Sequence, residues 1–305
     1  MKIHSAKISL PSQMQTHNFS QMFDEIESAL GPADYSSPGV RLYNRDCLQA
    51  IRQLRSSDIV KLTITSPPYN IGKEYEGEVS QHEYLGWCAD WIREIHRVTA
   101  SDGAFWLNLG YVSKPGRARA IPIPYLLWER IPFFLIQEIV WHYGAGVAAK
   151  KSFSPRNEKF LWYVKQEANY TFNLDDVRDP DVKYPLQKKN GKLKCNPLGK
   201  NPADVWLLPK VTSGTDRASP ERTEHPAQFP VAVIERIARA CSNPGDLILD
   251  PFMGSGTTAL VATRLDRPVL GFEISPRYME IAVRRLEADF ELSRIAAAQG
   301  ALFAG

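Results

Sequence analysis

The sequence predicts an α/β protein built on a largely parallel sheet, and three features carry that prediction. Apolar runs of strand length alternate with segments of helical apolar spacing from about residue 40 to residue 143. The alternation resumes near residue 229 and continues to residue 290. Inside this second stretch, "DLILDPFMGSGTTAL" reads as a short buried strand, a glycine-containing loop and a helix, the local form of a nucleotide-type ligand site.

The elements follow in order. Residues 1–38 are polar and mixed, and read as an N-terminal extension with a helix near residues 19–30. "VRLYNRD" is a short strand ending at Asp46, and "CLQAIRQL" has helical spacing. "DIVKLTIT" is a strand, "YLGWCADWIREIHRV" a helix and "GAFWLNLG" a buried strand. "IPYLLWERI" reads as a helix and "FLIQEIVWHY" as a strand. "EKFLWYVK" is a further strand; with only the loop "GAGVAAKKSFSPRN" before it, it should pair antiparallel with its predecessor. Periodicity is lost between residues 166 and 224, where Pro, Gly and Asn are frequent and six lysines fall between Lys183 and Lys200 without an acid. Then come the helix "FPVAVIERIARACS", the strand "DLILD", the helix "TTALVATRL", the strand "RPVLGFEI" and the helix "SPRYMEIAVRRLEADF".

Composition excludes several classes. At 44% hydrophobic and 23% charged residues, the chain of 305 residues matches an ordinary globular protein. No apolar run approaches the length of a membrane span, and the N-terminus lacks the apolar core of a signal peptide. The four cysteines are scattered without a CxxC pair, which argues against a metal knuckle or a disulfide scaffold and fits a reducing cytoplasm. A net charge of +3 is too small to identify a partner.

The strand "DIVKLTIT" leaves through "TSPPYN", residues 65–70. Two consecutive prolines end a strand and stiffen the backbone. The result is either a plain turn or a rigid cradle presenting carbonyls, the Ser66 hydroxyl and the Tyr69 ring. In the second motif the glycines let backbone approach a ligand, but the lysine of a triphosphate-binding loop is missing. Asp250 at the strand tip suits an ammonium, and Glu273, about twenty residues on, suits a pair of ribose hydroxyls. S-adenosylmethionine, an adenosine carrying an amino acid, satisfies this set.

Taken together, these motifs resemble those of amino-methyltransferases acting on DNA bases. "TSPPYN" resembles the family's catalytic motif and "DPFMGSGTT" its cofactor loop; "EHPAQFP", "YNRDCLQAI" and "RNEKFLWYVK" resemble three further segments in order. Catalytic motif before cofactor motif, with a basic region between, is similar to the β-class permutation of type II restriction-modification systems. The resemblance implies a Rossmann-like S-adenosylmethionine-dependent methyltransferase fold, with a mostly parallel seven-stranded sheet, a terminal antiparallel strand and an inserted target-recognition region. It divides the chain into an N-terminal extension (1–38), a catalytic half (39–165), a target-recognition region (166–224), a cofactor-binding half (225–290) and a C-terminal tail (291–305).

The implied catalytic residues are Ser66, Pro67, Pro68 and Tyr69. Ser66 and the Pro67 carbonyl would accept the hydrogens of a target amino group, and Tyr69 would stack on a base flipped from the duplex. The implied cofactor residues are Asp46, Cys47, His225, Asp250, Pro251, Phe252, Gly254, Ser255, Gly256, Thr257, Thr258 and Glu273. S-adenosylmethionine would leave as S-adenosylhomocysteine, with no metal. Family members with Ser-Pro-Pro-Tyr mostly methylate cytosine N4, and those with Asp-Pro-Pro-Tyr adenine N6; the resemblance therefore implies cytosine N4 as the target, with adenine N6 the alternative and an RNA or protein-amide substrate behind both. Ring-carbon methylation needs a cysteine nucleophile after a proline, and none of the cysteines follows one.

Lys150, Lys151 and Arg156, and the run Lys183, Lys188, Lys189, Lys192 and Lys194, are either solvated or grip the phosphates of double-stranded DNA. His142 and His96 read as structural, and Trp87, Trp91 and Trp106 as core. The expected protein is a cytoplasmic monomer or homodimer, bound to DNA at the nucleoid, with no membrane partner and a cognate endonuclease.

Overall fold

The computed structural model describes residues 19–70, 79–144, 146, 148–211 and 219–302. Residues 1–18 of the expected extension, 212–218 of the expected target-recognition region and 303–305 of the tail lie outside the described residues.

Helix α1 (Ser20–Leu30) leads to strands β1 (Tyr35–Ser37) and β2 (Val40–Tyr43), then α2 (Cys47–Gln53) and β3 (Val60–Thr65). Helix α3 (Gln81–Val98) and strand β4 (Thr99–Asn108) follow. A hairpin of β5 (Tyr111–Lys114) and β6 (Ala118–Pro122) precedes α4 (Ile123–Leu126), β7 (Phe134–His142) and β8 (Asn157–Val164). The lysine-rich segment holds β9 (Lys188–Lys189), β10 (Lys192–Leu193) and β11 (Val205–Leu207). Helix α5 (Val231–Cys241), β12 (Ile248–Asp250), α6 (Thr257–Arg264), β13 (Val269–Phe272) and α7 (Pro276–Leu302) complete the chain.

The main sheet runs β1-β2-β13-β12-β3-β4-β8-β7-β11. From β2 to β4 all neighbours are parallel, and β8 runs antiparallel between β4 and β7. Buried on both faces, β12 and β13 read as unbroken apolar runs rather than alternating ones. One face packs against α1, α2 and α3 through Phe23, Ile51 and Trp91; the other packs against α5, α6 and α7 through Ile237, Leu260 and Leu286. Helix α3 starts at a capping box: the Ser80 hydroxyl accepts from the Glu83 N–H, and the Glu83 carboxylate accepts from the Ser80 N–H.

The seven expected strands all form, and each sheet edge gains one more. Strand β1 pairs antiparallel with β2, and β11 pairs parallel with β7. The antiparallel strand of the expected seven is β8, one place inside the β7 end of that set. Strand β11 belongs to the segment without periodicity; three residues are too few to show a period, and its anchor is Trp206, stacked on Trp106 at 5.8 Å. The expected helix at residues 123–131 shortens to α4 and a separate turn of 3-10 helix, Trp128–Arg130, between Pro124 and Pro132. Helix α7 continues past residue 290 into the segment assigned as a tail. Among the described residues no helix is long and apolar enough to cross a membrane.

The sheet order reverses between β3 and β12. Chain order runs outward from β3 to β4 on one side and from β12 to β13 on the other, so a crevice opens at their carboxyl ends, where open sheets bind ligands.

Candidate active site

Strands β3 and β12 end side by side, and the Thr65 hydroxyl donates to the Asp250 carboxylate at 3.1 Å. This bond ties the root of "TSPPYN" to the root of "DPFMGSG". Both loops line one cleft of about 1380 Å³. Ser66, Pro67, Pro68 and Tyr69 form one wall; Asp250, Pro251, Phe252, Gly254, Ser255, Thr257, Thr258 and Glu273 form another, joined by Asp46, Cys47 and His225. Of the expected cofactor residues only Gly256 is off the cleft surface. Its φ of +73° starts α6, and a Cβ there would meet the Ala282 Cβ at 2.8 Å, so it serves the packing of α6 on α7.

The acceptor wall is held from behind. The Tyr84 hydroxyl donates to the Pro68 carbonyl at 2.6 Å. Asn108, at the end of β4, accepts from the Tyr69 hydroxyl at 2.5 Å and from the Ser66 hydroxyl at 3.1 Å. The Tyr69 ring lies against Gly110, where a Cβ would come within 2.6 Å of the ring. Asn108 and Gly110 were not singled out in the sequence. The available signal was a polar residue, then a glycine, at the carboxyl end of the buried strand "GAFWLNLG".

The other wall carries two buried carboxylates. Asp250 is 4% exposed, and burial pushes its carboxyl up to about 6, against hydrogen bonds from the Phe252 N–H and Thr65 that favour the charged form. Burial also raises Glu273, whose oxygens accept from the Gly254 and Ser275 N–H groups at 2.8 Å each. Glu273 therefore shapes the glycine loop as well as facing the cleft. His225 lies edge-on to Tyr278, and a Cβ on Gly254 would come 2.9 Å from its Nε2. The Arg285 guanidinium donates to Thr257 and to the Ser255 carbonyl, bracing the loop from α7. Asp46 caps α2 by accepting from the Gln49 N–H. Burial, with Asp46 beside it, drives the Cys47 thiol well above its usual range, so it stays protonated and is no nucleophile.

The expected DNA cations lie off the cleft. Lys150 and Lys151 are exposed on the β7–β8 loop, Arg156 at its end is half-buried with its guanidinium beside Gly146, and Lys183, Lys188, Lys189, Lys192 and Lys194 are exposed around the β9–β10 hairpin. Among the described residues the cations on the cleft itself are Arg45, Lys210, Arg222 and Arg277. They come from separate segments, and no local pattern marks them. Trp91 and Trp106 are core as expected, whereas Trp87 lines the cleft against Phe252.

The DNA methylase family matches residues 60–284, the span holding both loops and the crevice between them. Type II methyltransferase M.ScaI of Streptomyces caespitosus is 61% identical over 265 residues, covering 87% of each chain. DNA adenine methyltransferase YhdJ of Escherichia coli (strain K12) is 32% identical over 265 residues, covering 84% of this chain and 85% of its own. Among solved structures, PvuII DNA methyltransferase (cytosine-N4-specific) superposes with a TM-score of 0.65 at 20% identity, covering 85% of this chain and 93% of its own; this likeness speaks to the fold.

Proposed function

This chain belongs to the DNA methylase family, and we propose that it transfers the methyl group of S-adenosylmethionine to the exocyclic N4 of cytosine in duplex DNA. The observation that carries the reading is the Thr65–Asp250 hydrogen bond, which sets the Ser66–Pro67 acceptors and the glycine loop on facing walls of one cleft. The residues fit the cofactor. Asp250 suits its ammonium and Glu273 its ribose hydroxyls, and the loop leaves backbone room beside Gly254. Phe252 and Asp46 form the wall on the adenine side. When bound, S-adenosylmethionine supplies an electrophilic methyl group on a positively charged sulfur.

The protein side of the reaction is alignment. A base amino nitrogen is a poor nucleophile because its lone pair is delocalised into the ring. Ser66 Oγ and the Pro67 carbonyl accept its two hydrogens and draw the lone pair toward the methyl group. The prolines, with Tyr84 behind Pro68, hold these acceptors so that little rearrangement is needed. The Tyr69 face stacks on the flipped base. Arg45, Lys210, Arg222 and Arg277 give the cleft the positive edge that phosphates seek, while the exposed lysines add non-specific affinity and residues 170–222 read the sequence.

Ser66 in place of a carboxylate supports cytosine; the adenine-specific relative supports adenine N6 as the second reading. As in a type II system, methylation would protect DNA from a cognate endonuclease. Incubation with methyl-labelled cofactor and duplex DNA, then nucleoside analysis, decides the base. Label in N4-methylcytosine is expected, and label in N6-methyladenine would overturn the base assignment.

A further inference from the structure

We infer that Asn108 is the positioning residue that turns the Ser66 hydroxyl into a hydrogen-bond acceptor for the target amine. The inference rests on the reading of Ser66 as that acceptor. Asn108 is 1% exposed at the end of β4, and its amide Nδ2 donates to the Lys159 carbonyl on β8 at 3.0 Å. That bond fixes the amide so that its oxygen, which has no proton to give, faces the loop.

Three oxygens then close a triangle: Asn108 Oδ1 to Tyr69 at 2.5 Å, Asn108 Oδ1 to Ser66 at 3.1 Å, and Ser66 to Tyr69 at 3.0 Å. The triangle holds two hydroxyl protons and one pure acceptor. The shortest edge takes the Tyr69 proton. The Ser66 proton also points inward, to either neighbour, and the outward lone pairs of Ser66 are left for the amine. A serine free to rotate would offer its proton to the cleft for part of the time and repel an N–H. An amide does this without titrating and without adding a third buried carboxylate beside Asp250 and Glu273.

The test is a double-mutant cycle on turnover with Ser66→Ala and Asn108→Ala, with cofactor affinity followed by calorimetry as the check of folding. Each single variant should bind cofactor as the wild type does and lose about two to three orders of magnitude in kcat. The double variant should lose little more than either, because Asn108 acts through Ser66. A multiplicative loss would overturn the inference. If Ser66→Ala alone retained full turnover, the reading of Ser66 would fall instead, so the two failures are distinguishable.

Asn108→Asp supplies a second readout. A protonated carboxyl there reproduces the amide, its O–H donating to the Lys159 carbonyl and its C=O accepting from the loop. An ionised one sets an anion against that carbonyl. The ratio of variant to wild-type kcat should therefore rise as pH falls; a ratio flat from pH 5 to pH 9, on the order of the working range, would contradict the role. The other titratable and charged groups on the cleft among the described residues (Asp46, Glu158, Asp250, Glu273, His225, the Cys47 thiol, the Tyr69 and Tyr278 phenols, Lys210, and Arg45, Arg222 and Arg277) are common to both enzymes and divide out.

Discussion

Asp250→Asn should make the free protein more stable and the enzyme worse. The Asp250 carboxyl is raised from 3.8 to about 6 by burial, so at neutral pH it is held ionised at a cost of about 3 kcal/mol relative to the unfolded chain. A group raised in this way contributes stability below its unfolded pKa and loses it as pH rises through the folded value. The asparagine variant does not ionise. It should match the wild type near pH 4, gain between pH 4 and 6, and hold an advantage of up to about 3 kcal/mol at pH 7.5, a rise of roughly 5 °C in Tm for a chain of this size. Its amide can still accept from Thr65 and the Phe252 N–H, which now reach Asp250 at 3.1 and 3.2 Å. Cofactor affinity should fall by one to two orders of magnitude, as expected when a buried charged hydrogen bond is lost at about 1.5–3 kcal/mol. Thermal melts at pH 4 and 7.5, with and without S-adenosylmethionine, read both effects. An Asp250→Asn protein less stable at pH 7.5, or stabilised equally at both pH values, would refute the reasoning.

Two further perturbations probe the other wall and the DNA face. Gly110→Ala places a methyl group within 2.6 Å of the Tyr69 ring, and such overpacking costs about 1–3 kcal/mol; turnover on DNA should drop about ten- to a hundredfold while calorimetric cofactor affinity stays level. Replacing Lys188, Lys189, Lys192 and Lys194 with glutamine should lower the slope of log affinity against log salt by about 0.9 for each phosphate left without its lysine, measured by anisotropy on duplex DNA. An unchanged slope would remove the β9–β10 hairpin from the DNA face.

The parallel strands themselves were legible because each is a strand-length run rich in apolar residues, and β2, β3 and β12 lead into a helix cap, a proline pair and a glycine loop. Asp250 and Glu273 were legible for the same reason: a carboxylate directly after such a run sits at the carboxyl edge of the sheet. Asn108 was not, since a single amide after "GAFWL" gains meaning only when β4 is set beside β3 and the Lys159 carbonyl of β8 reaches it. Strand β11 is a similar case, joined to the sheet by a tryptophan stack across about a hundred residues of chain. The β5–β6 hairpin lies in a basic stretch around Pro115 and Gly116, where alternation is too short to separate strand from loop. The cleft cations come from three distant stretches, around Arg45, from Lys210 to Arg222 and around Arg277, which only the folded chain assembles.

The central claim is that one cleft holds two separable functions, cofactor capture at the β12–β13 ends and amine activation at the β3–β4 ends. Paired measurement of S-adenosylmethionine affinity and single-turnover methyl transfer in Ser66→Ala tests it most directly. Affinity equal to the wild type, with transfer slowed by about two to three orders of magnitude, is the predicted result. Transfer at the wild-type rate would contradict the claim.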